Sequence, residues 1–165
     1  MYVPFDHIDL QSRIWVFQAP KSFSPAEVEI IERQLKLFCE DWTSHNHLLE
    51  SSFIIAKQQF IILAINEAVH EASGCSIDKS IHVIKDLSQR LQVDLLDKGL
   101  VSFVHQDTVR TIKLAEIKAE INSGHLTAST PVFNTIVASK KEFLEHFETP
   151  AANTWLKRYF VQSLI

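Results

Sequence analysis

Glycine is scarce in this chain, with three in 165 residues, at Gly74, Gly99 and Gly124. That leaves no glycine-rich loop of the kind that wraps phosphates. It also implies few mobile loops, because glycine is the residue that frees the backbone most. Cysteine is limited to Cys39 and Cys75, which do not make a disulfide framework. Hydrophobic runs are short. The longest, Phe60 to Ile65, falls far below the span of a bilayer, so membrane insertion is not expected. A basic excess is missing too: 16 Lys and Arg against 20 Asp and Glu give a net charge of -4, whereas a nucleic-acid binder carries a basic face. The N-terminal stretch MYVPFDHIDLQSR shows no basic segment followed by an apolar one, the pattern of a secretory leader. A cytoplasmic protein with reduced thiols is therefore expected.

What is present is ordinary globular material, 46% hydrophobic and 22% charged, enough for one domain with a sizeable core. Arg13-Ile-Trp-Val-Phe-Gln18 reads as a strand apolar on both faces. Phe23-Ser-Pro-Ala-Glu27 then opens a helix. Ser24 is the N-cap, Pro25 suits the first helical position and Glu27 completes a capping box. Val28, Ile31, Leu35, Phe38 and Trp42 share one face of that helix, with Cys39 beside them as a buried thiol. Strands follow at Ser51 to Lys57 and Gln59 to Asn66, joined by a tight turn near Gln58. A second helix is expected from about Ile77 to Leu91, and a fourth strand from Leu100 to His105, interrupted by Ser102.

This order, β-α-β-β-α-β, is that of a ferredoxin-like α+β core at about 10–106. In that fold the first and third strands are central, and here those two are apolar on both faces. Residues 107–165 form an α/β C-terminal extension expected to cover the free sheet face. It contains a strand at Val109 to Lys113 paired with the fourth through Gln106-Asp107, a helix at Leu114 to Ser123 stopped by Gly124, a strand at Pro131 to Val137, a helix at Lys140 to Phe147 broken by Pro150, and an amphipathic turn or two over Asn153 to Phe160. Its aromatics Trp155, Tyr159 and Phe160 are expected to dock on the core with Leu156; if exposed, they would mark a partner site or dimer contact.

The chemistry concentrates at Ser73-Gly-Cys-Ser-Ile-Asp-Lys-Ser-Ile-His82. A Walker A loop requires glycine immediately before Lys-Ser, and Asp78 stands there instead, so ATP hydrolysis is not expected. Cys75 sits at a helix N-terminus, where a thiolate is favoured. Asp78 and His82, four residues apart, share the outward face, so His82 would serve as a base oriented by Asp78. The plainer reading is a well-capped helix start, with Ser76 as the cap and Asp78 suited to the first turn. A ligand site would draw on Trp42, His45, Ser73, Gly74 and Ser76, all placed at one end of the sheet by the expected fold. His47, His70 and Cys75 converge there in the same reading, but no metal-ligand spacing anchors a metal site. No cofactor signature is present.

Several stretches carry a family resemblance: Met1-Tyr-Val-Pro-Phe5, Phe38-Cys-Glu-Asp-Trp42 with His45, Phe60-Ile-Ile-Leu63, Ser73-Gly-Cys-Ser-Ile-Asp78 and Trp155-Leu-Lys-Arg-Tyr-Phe160. Together they resemble a family of small bacterial proteins, about 160 residues long, of unknown function and sometimes labelled ABC-transporter ATPase. The motifs that label requires are missing here, so the resemblance implies no ATPase residues. Residues 109–133, with Ile112-Lys-Leu-Ala-Glu-Ile117, Gly124-His-Leu126 and Thr130-Pro-Val-Phe133, are similar to GYF-like peptide-binding modules, without their aromatic signature. The expected function is a non-catalytic ligand- or protein-binding or regulatory domain. Its partner would be a small ligand or a protein, with a second copy of the chain as one candidate. The alternative is a small thiol- or metal-dependent enzyme centred on Cys75 with His45 and His82.

Overall fold

A computed structural model of the chain describes residues 1–161. In chain order the elements are β1 (Arg13–Gln18), α1 (Pro25–Asp41), β2 (Thr43–Ser44), β3 (His47–Leu48), β4 (Ser51–Ala56), β5 (Phe60–Ile65), α2 (Gly74–Leu91), β6 (Leu100–His105), β7 (Thr108–Lys113), α3 (Ile117–Asn122), β8 (Pro131–Phe133), α4 (Lys140–His146), β9 (Glu148–Pro150) and α5 (Arg158–Val161). The chain is α+β. No helix among the described residues is long and apolar enough to cross a membrane.

The start of α1 is built as its sequence reads. Ser24 accepts the Glu27 N–H at 3.2 Å, and the Glu27 carboxylate accepts the Ser24 N–H at 3.0 Å. The apolar stripe of α1 lies on one face of the antiparallel sheet β1-β5-β4. There Ile31 and Leu35 pack with Phe17, Ile61 and Leu63 of the sheet and with Ile84 and Leu87 of α2. β5 is central, and all six of its residues are buried. The other face of the sheet, with Ile14, Val16, Phe60, Ile62 and Ala64, is covered by Phe133, Val137 and Phe147 and by Phe5 and Ile8 from the N-terminal stretch.

The order β1-β5-β4 is that of the first three strands of a ferredoxin-like sheet. The fourth strand departs from it. β6, expected beside β1, instead pairs with β7 and β8 in a separate sheet of order β7-β6-β8-β9. Two features account for the departure. The free edge of β1 is taken by the segment before α4: the Ile14 N–H donates to the Ala138 carbonyl at 3.0 Å, and Arg13 bridges Ser139. The meeting of β1 with β6 is made by side chains. Ser102 donates to the Gln18 carboxamide oxygen at 3.0 Å, Gln18 donates to the Leu100 carbonyl at 3.1 Å, and Gln59 donates to the Ala19 carbonyl at 2.9 Å and to Thr111 at 2.5 Å. Gln18, Gln59 and Ser102 are all buried, so their polar atoms require these partners.

Several boundaries also differ from the sequence reading. α2 begins at Gly74, three residues earlier than expected, because Ser73 rather than Ser76 is its N-cap. The loop after α1 contains the β2–β3 hairpin. The strand at 131 ends at Phe133. Pro150, read as a helix breaker, closes β9 opposite Pro131, in an edge strand where a missing N–H costs least.

Candidate functional site

The predicted residues start with the two serines that open α2. Ser73 has extended backbone, and its hydroxyl accepts the Ser76 N–H at 3.2 Å. The Ser73 N–H donates to Ser76 Oγ at 2.8 Å, and that hydroxyl donates back to the Ser73 carbonyl at 2.7 Å. Ser76 is buried. Its carbonyl accepts the Trp42 indole N–H at 2.8 Å. Trp42 is 1% exposed and rests against Phe38, with ring centroids 4.7 Å apart, and against Trp15 at 6.2 Å. Ser73, Ser76 and Trp42 thus lock the end of α1 to the start of α2. Gly74 is exposed, and a Cβ there meets nothing within 4 Å, so no close approach requires a glycine.

Cys75, Asp78 and His82 are all exposed on α2. His82 Nδ1 lies 2.8 Å from the backbone carbonyl of Asp78. A carbonyl only accepts, so Nδ1 carries the hydrogen and neutral His82 presents Nε2 as its acceptor. The orienting group is thus the Asp78 main chain, where the sequence suggested its carboxylate. Cys39, unlike Cys75, is shielded from solvent. It is buried, and burial pushes its thiol up to about 12.

The histidines gather only in part. His45 is exposed at the first position of the β2–β3 turn, with φ 48°. His47 stacks on His70, with ring centroids 4.7 Å apart and planes 13° apart. Among the described residues, no group of three or more His, Cys, Asp or Glu side chains is placed to hold a metal ion.

Two of the predicted residues, Trp42 and His82, do line a common feature. It is a groove of about 540 Å³ between α1 and α2, walled by Leu37, Phe38, Asp41 and Trp42 on one side and Lys79, His82, Val83 and Asp86 on the other. The α2 wall has the spacing i, i+3, i+4, i+7 of a single helix face. Trp42 and Val83, with half-buried Phe38, make the deeper lining apolar, while exposed Leu37, Asp41 and Asp86 stand at the rim. Lys79 is turned toward the Thr43 hydroxyl, 3.0 Å away. The sequence reading missed Leu37, although a signal was available: it is an apolar residue off the buried stripe of α1, and it is 59% exposed. Compared with protein-family models, curated proteins and solved structures, the chain matches none.

Proposed function

We propose that this chain is a non-catalytic protein-binding domain, with the α1–α2 groove as its site. The observation carrying this reading is the groove itself, an open apolar floor between two packed helices with an aspartate on each shoulder. Its volume falls within the range of small-molecule and cofactor sites. A groove between helices with an apolar floor also suits an amphipathic helix laid in by its apolar face. Asp41 and Asp86 favour a segment whose flanks carry Lys or Arg, and such charges set specificity and on-rate. On this reading the protein works in the cytoplasm, and Cys75 stays a free thiol outside the groove.

The test is selection of displayed peptides on the immobilised full chain, followed by affinity measurement with the selected peptides. Enriched peptides should carry apolar residues at helical spacing with basic flanks. Leu37→Asp should weaken them by at least about tenfold, as expected when a charge replaces an apolar rim contact. Equal binding to Leu37→Asp sinks the reading. A second reading, a thiol-dependent activity centred on Cys75 with His45 and His82, draws on the exposure of Cys75 in the first turn of α2. Its test is the pH profile of Cys75 alkylation, with buried Cys39 as internal control and metal content recorded on the same sample. Thiolate reactivity below neutral pH supports it, and slow alkylation at both thiols removes it.

A further inference from the structure

The segment before α4 covers the outer edge of β1 at its start only. The Ile14 N–H donates to the Ala138 carbonyl at 3.0 Å, and the Lys140 N–H donates to the Ser12 carbonyl at 2.9 Å. On the inner side, the Ala19 N–H donates to the Gln59 carbonyl at 2.9 Å. In the register of β1 on β5, Trp15 and Phe17 therefore bond to β5, while the N–H and C=O of Val16 face outward, as the Ile14 N–H does. Arg13 stands opposite Ser139, so continued pairing would bring Ile136 opposite Val16. The chain turns away before that. The Ile136 N–H donates to the Asn134 carboxamide oxygen at 3.2 Å, and Ile136 is 75% exposed. Neither main-chain group of Val16 takes a partner among the described residues, although Val16 is buried. Buried main-chain groups are nearly always paired.

Those groups face a cleft of about 300 Å³, lined by β1 from Arg13 to Phe17, by Ile81 of α2, by Lys98 and by Thr135 to Ala138. No carboxylate lines it, and its two cations differ. Arg13 pairs with Glu67 at 3.5 Å and lies over the Trp15 ring. Lys98 is exposed, has no carboxylate partner among the described residues, and sits 5.7 Å from the centre of the Phe17 ring. Along β1 the cleft is closed at both ends. Ala138 closes it at Ile14, and the Gln18 side chain, bonded to the Leu100 carbonyl, closes it at the other end. From Ile14 to Gln18 the strand runs roughly 13 Å. An extended chain cannot pass straight through so short an interval, but the end of one fits.

We propose that this cleft binds the C-terminal end of a partner's peptide chain, added to β1 as a short strand. The unpaired cation lies at the Phe17 end, so the segment runs parallel to β1 and brings its carboxylate to Lys98. In a parallel pair one residue bonds to two on its neighbour. The Val16 N–H donates to the carbonyl of the third residue from the end, and the Val16 carbonyl accepts the N–H of the last. The last and third-last side chains share the face of Phe17 and Trp15, beside Ile81. The one between them shares the face of Val16, beside Val137. All three positions favour apolar side chains. Main-chain pairing supplies affinity, and the carboxylate contact selects a chain end over an internal segment. This cleft is separate from the α1–α2 groove and does not depend on that reading.

The experiment is an NMR titration of the isotope-labelled full chain with millimolar acetyl-Val-Ala-Val, as the free acid and as the C-terminal amide. The free acid should shift the amides of Val16 and Ile81 saturably and slow hydrogen exchange at Val16. The amide form should bind at least about tenfold more weakly, as should the free acid on Lys98→Glu, because each loses one charge-assisted contact. Lys98→Arg should retain binding. Position 98 is exposed, and circular dichroism checks that both variants are folded. A Val16 amide that the free acid does not move overturns the proposal and leaves its main chain to solvent. Equal binding of acid and amide, or equal binding to Lys98→Glu, overturns it as well, because a chain end is then not what the cleft reads. Shifts confined to Val83 and its neighbours in the α1–α2 groove also overturn it.

Discussion

β5 and β6 are both central strands, yet they are made differently. β5 buries six apolar residues: Ile61 and Leu63 against the α1–α2 layer, Ile65 against Trp42 and Leu49, and Phe60, Ile62 and Ala64 in the cluster of Phe133 and Phe147. β6 sends Val101 and Phe103 into a smaller core with Ile112, Ile117, Leu126 and Val132, while Ser102 faces the polar seam to β1. The first sheet is held by apolar burial on both faces. The second is held by burial of Val101, Phe103 and Val132 on one face, and on the other by Phe133, Val104 and Val109 against the first sheet together with the directed hydrogen bonds of Ser102. Burial tolerates small shifts in geometry, whereas buried hydrogen bonds do not, because an unmatched partner loses its solvation outright.

The largest effect expected from this contrast is in the core of the first sheet. Phe60 is fully buried and touches Phe133 and Phe147, each with ring centroids 5.1 Å away. Phe60→Ala should cost about 4 kcal/mol in urea unfolding, through lost transfer energy and the cavity left behind. Val132→Ala in the second sheet should cost about 2 kcal/mol. Equal losses would mean that the smaller cluster around Val132 is packed as tightly as the one around Phe60. The seam comes next. Gln59→Ala leaves Thr111 and the Ala19 carbonyl without their donor, and should cost about 2 kcal/mol. A double cycle with Thr111→Val should show coupling of about 1 kcal/mol. Additive losses would show that the seam is not an interaction but two independent burials.

The thiols extend the comparison to pH. Cys39 is neutral in the fold until about pH 12, against an ordinary value of 9.0. Below pH 9 the thiol is protonated in both states and adds no slope. Above it the unfolded chain ionises while the fold cannot, so stability falls as pH rises toward 12. The slope should be about 1.4 kcal/mol per pH unit. Cys39→Ala should flatten that part of the profile. Urea midpoints from pH 8 to 11 give the answer. A profile unchanged by Cys39→Ala would show that this thiol does not set the alkaline limit.

The first sheet was legible in the sequence because its strands are apolar runs bounded by polar turns, and α1 announces itself through Ser24, Pro25 and Glu27. The second sheet was not, because periodicity identifies a strand without naming its partner. Ser102 was visible as a break in an apolar run, yet its meaning depended on Gln18, 84 residues away in the chain. The start of α2 was misplaced for a local reason: with serine at both 73 and 76, propensity alone does not choose the cap. The site was half legible. Trp42 and His82 were visible as unusual residues, but their shared groove depends on how α1 crosses α2, and Leu37 passed for ordinary helix surface.

Glycine scarcity leaves the hairpin turns to residues that carry a Cβ. Three hairpins turn on paired left-handed residues that are not glycine: His45–Asn46 with φ 48° and 66°, Lys57–Gln58 with 52° and 53°, and Gln106–Asp107 with 50° and 60°. Left-handed backbone costs roughly 1–2 kcal/mol for a residue with a Cβ. Glycine removes that strain but adds unfolded-state freedom worth about 0.5–1 kcal/mol. Gln58→Gly in the first sheet and Asp107→Gly in the second should therefore each gain only about 0.5 kcal/mol, a rise in Tm of roughly 1–2 °C. Gln58→Ala and Asp107→Ala, which keep the Cβ, should gain nothing. The Phe23 N–H bond to the Gln58 carbonyl involves main chain alone and survives the change. Both sheets should respond alike, since the turn is local and the difference between them lies in what each strand buries. A gain confined to Asp107→Gly would mean that the apolar first sheet already holds its turn against the strain, and that the contrast between the sheets reaches their hairpin ends.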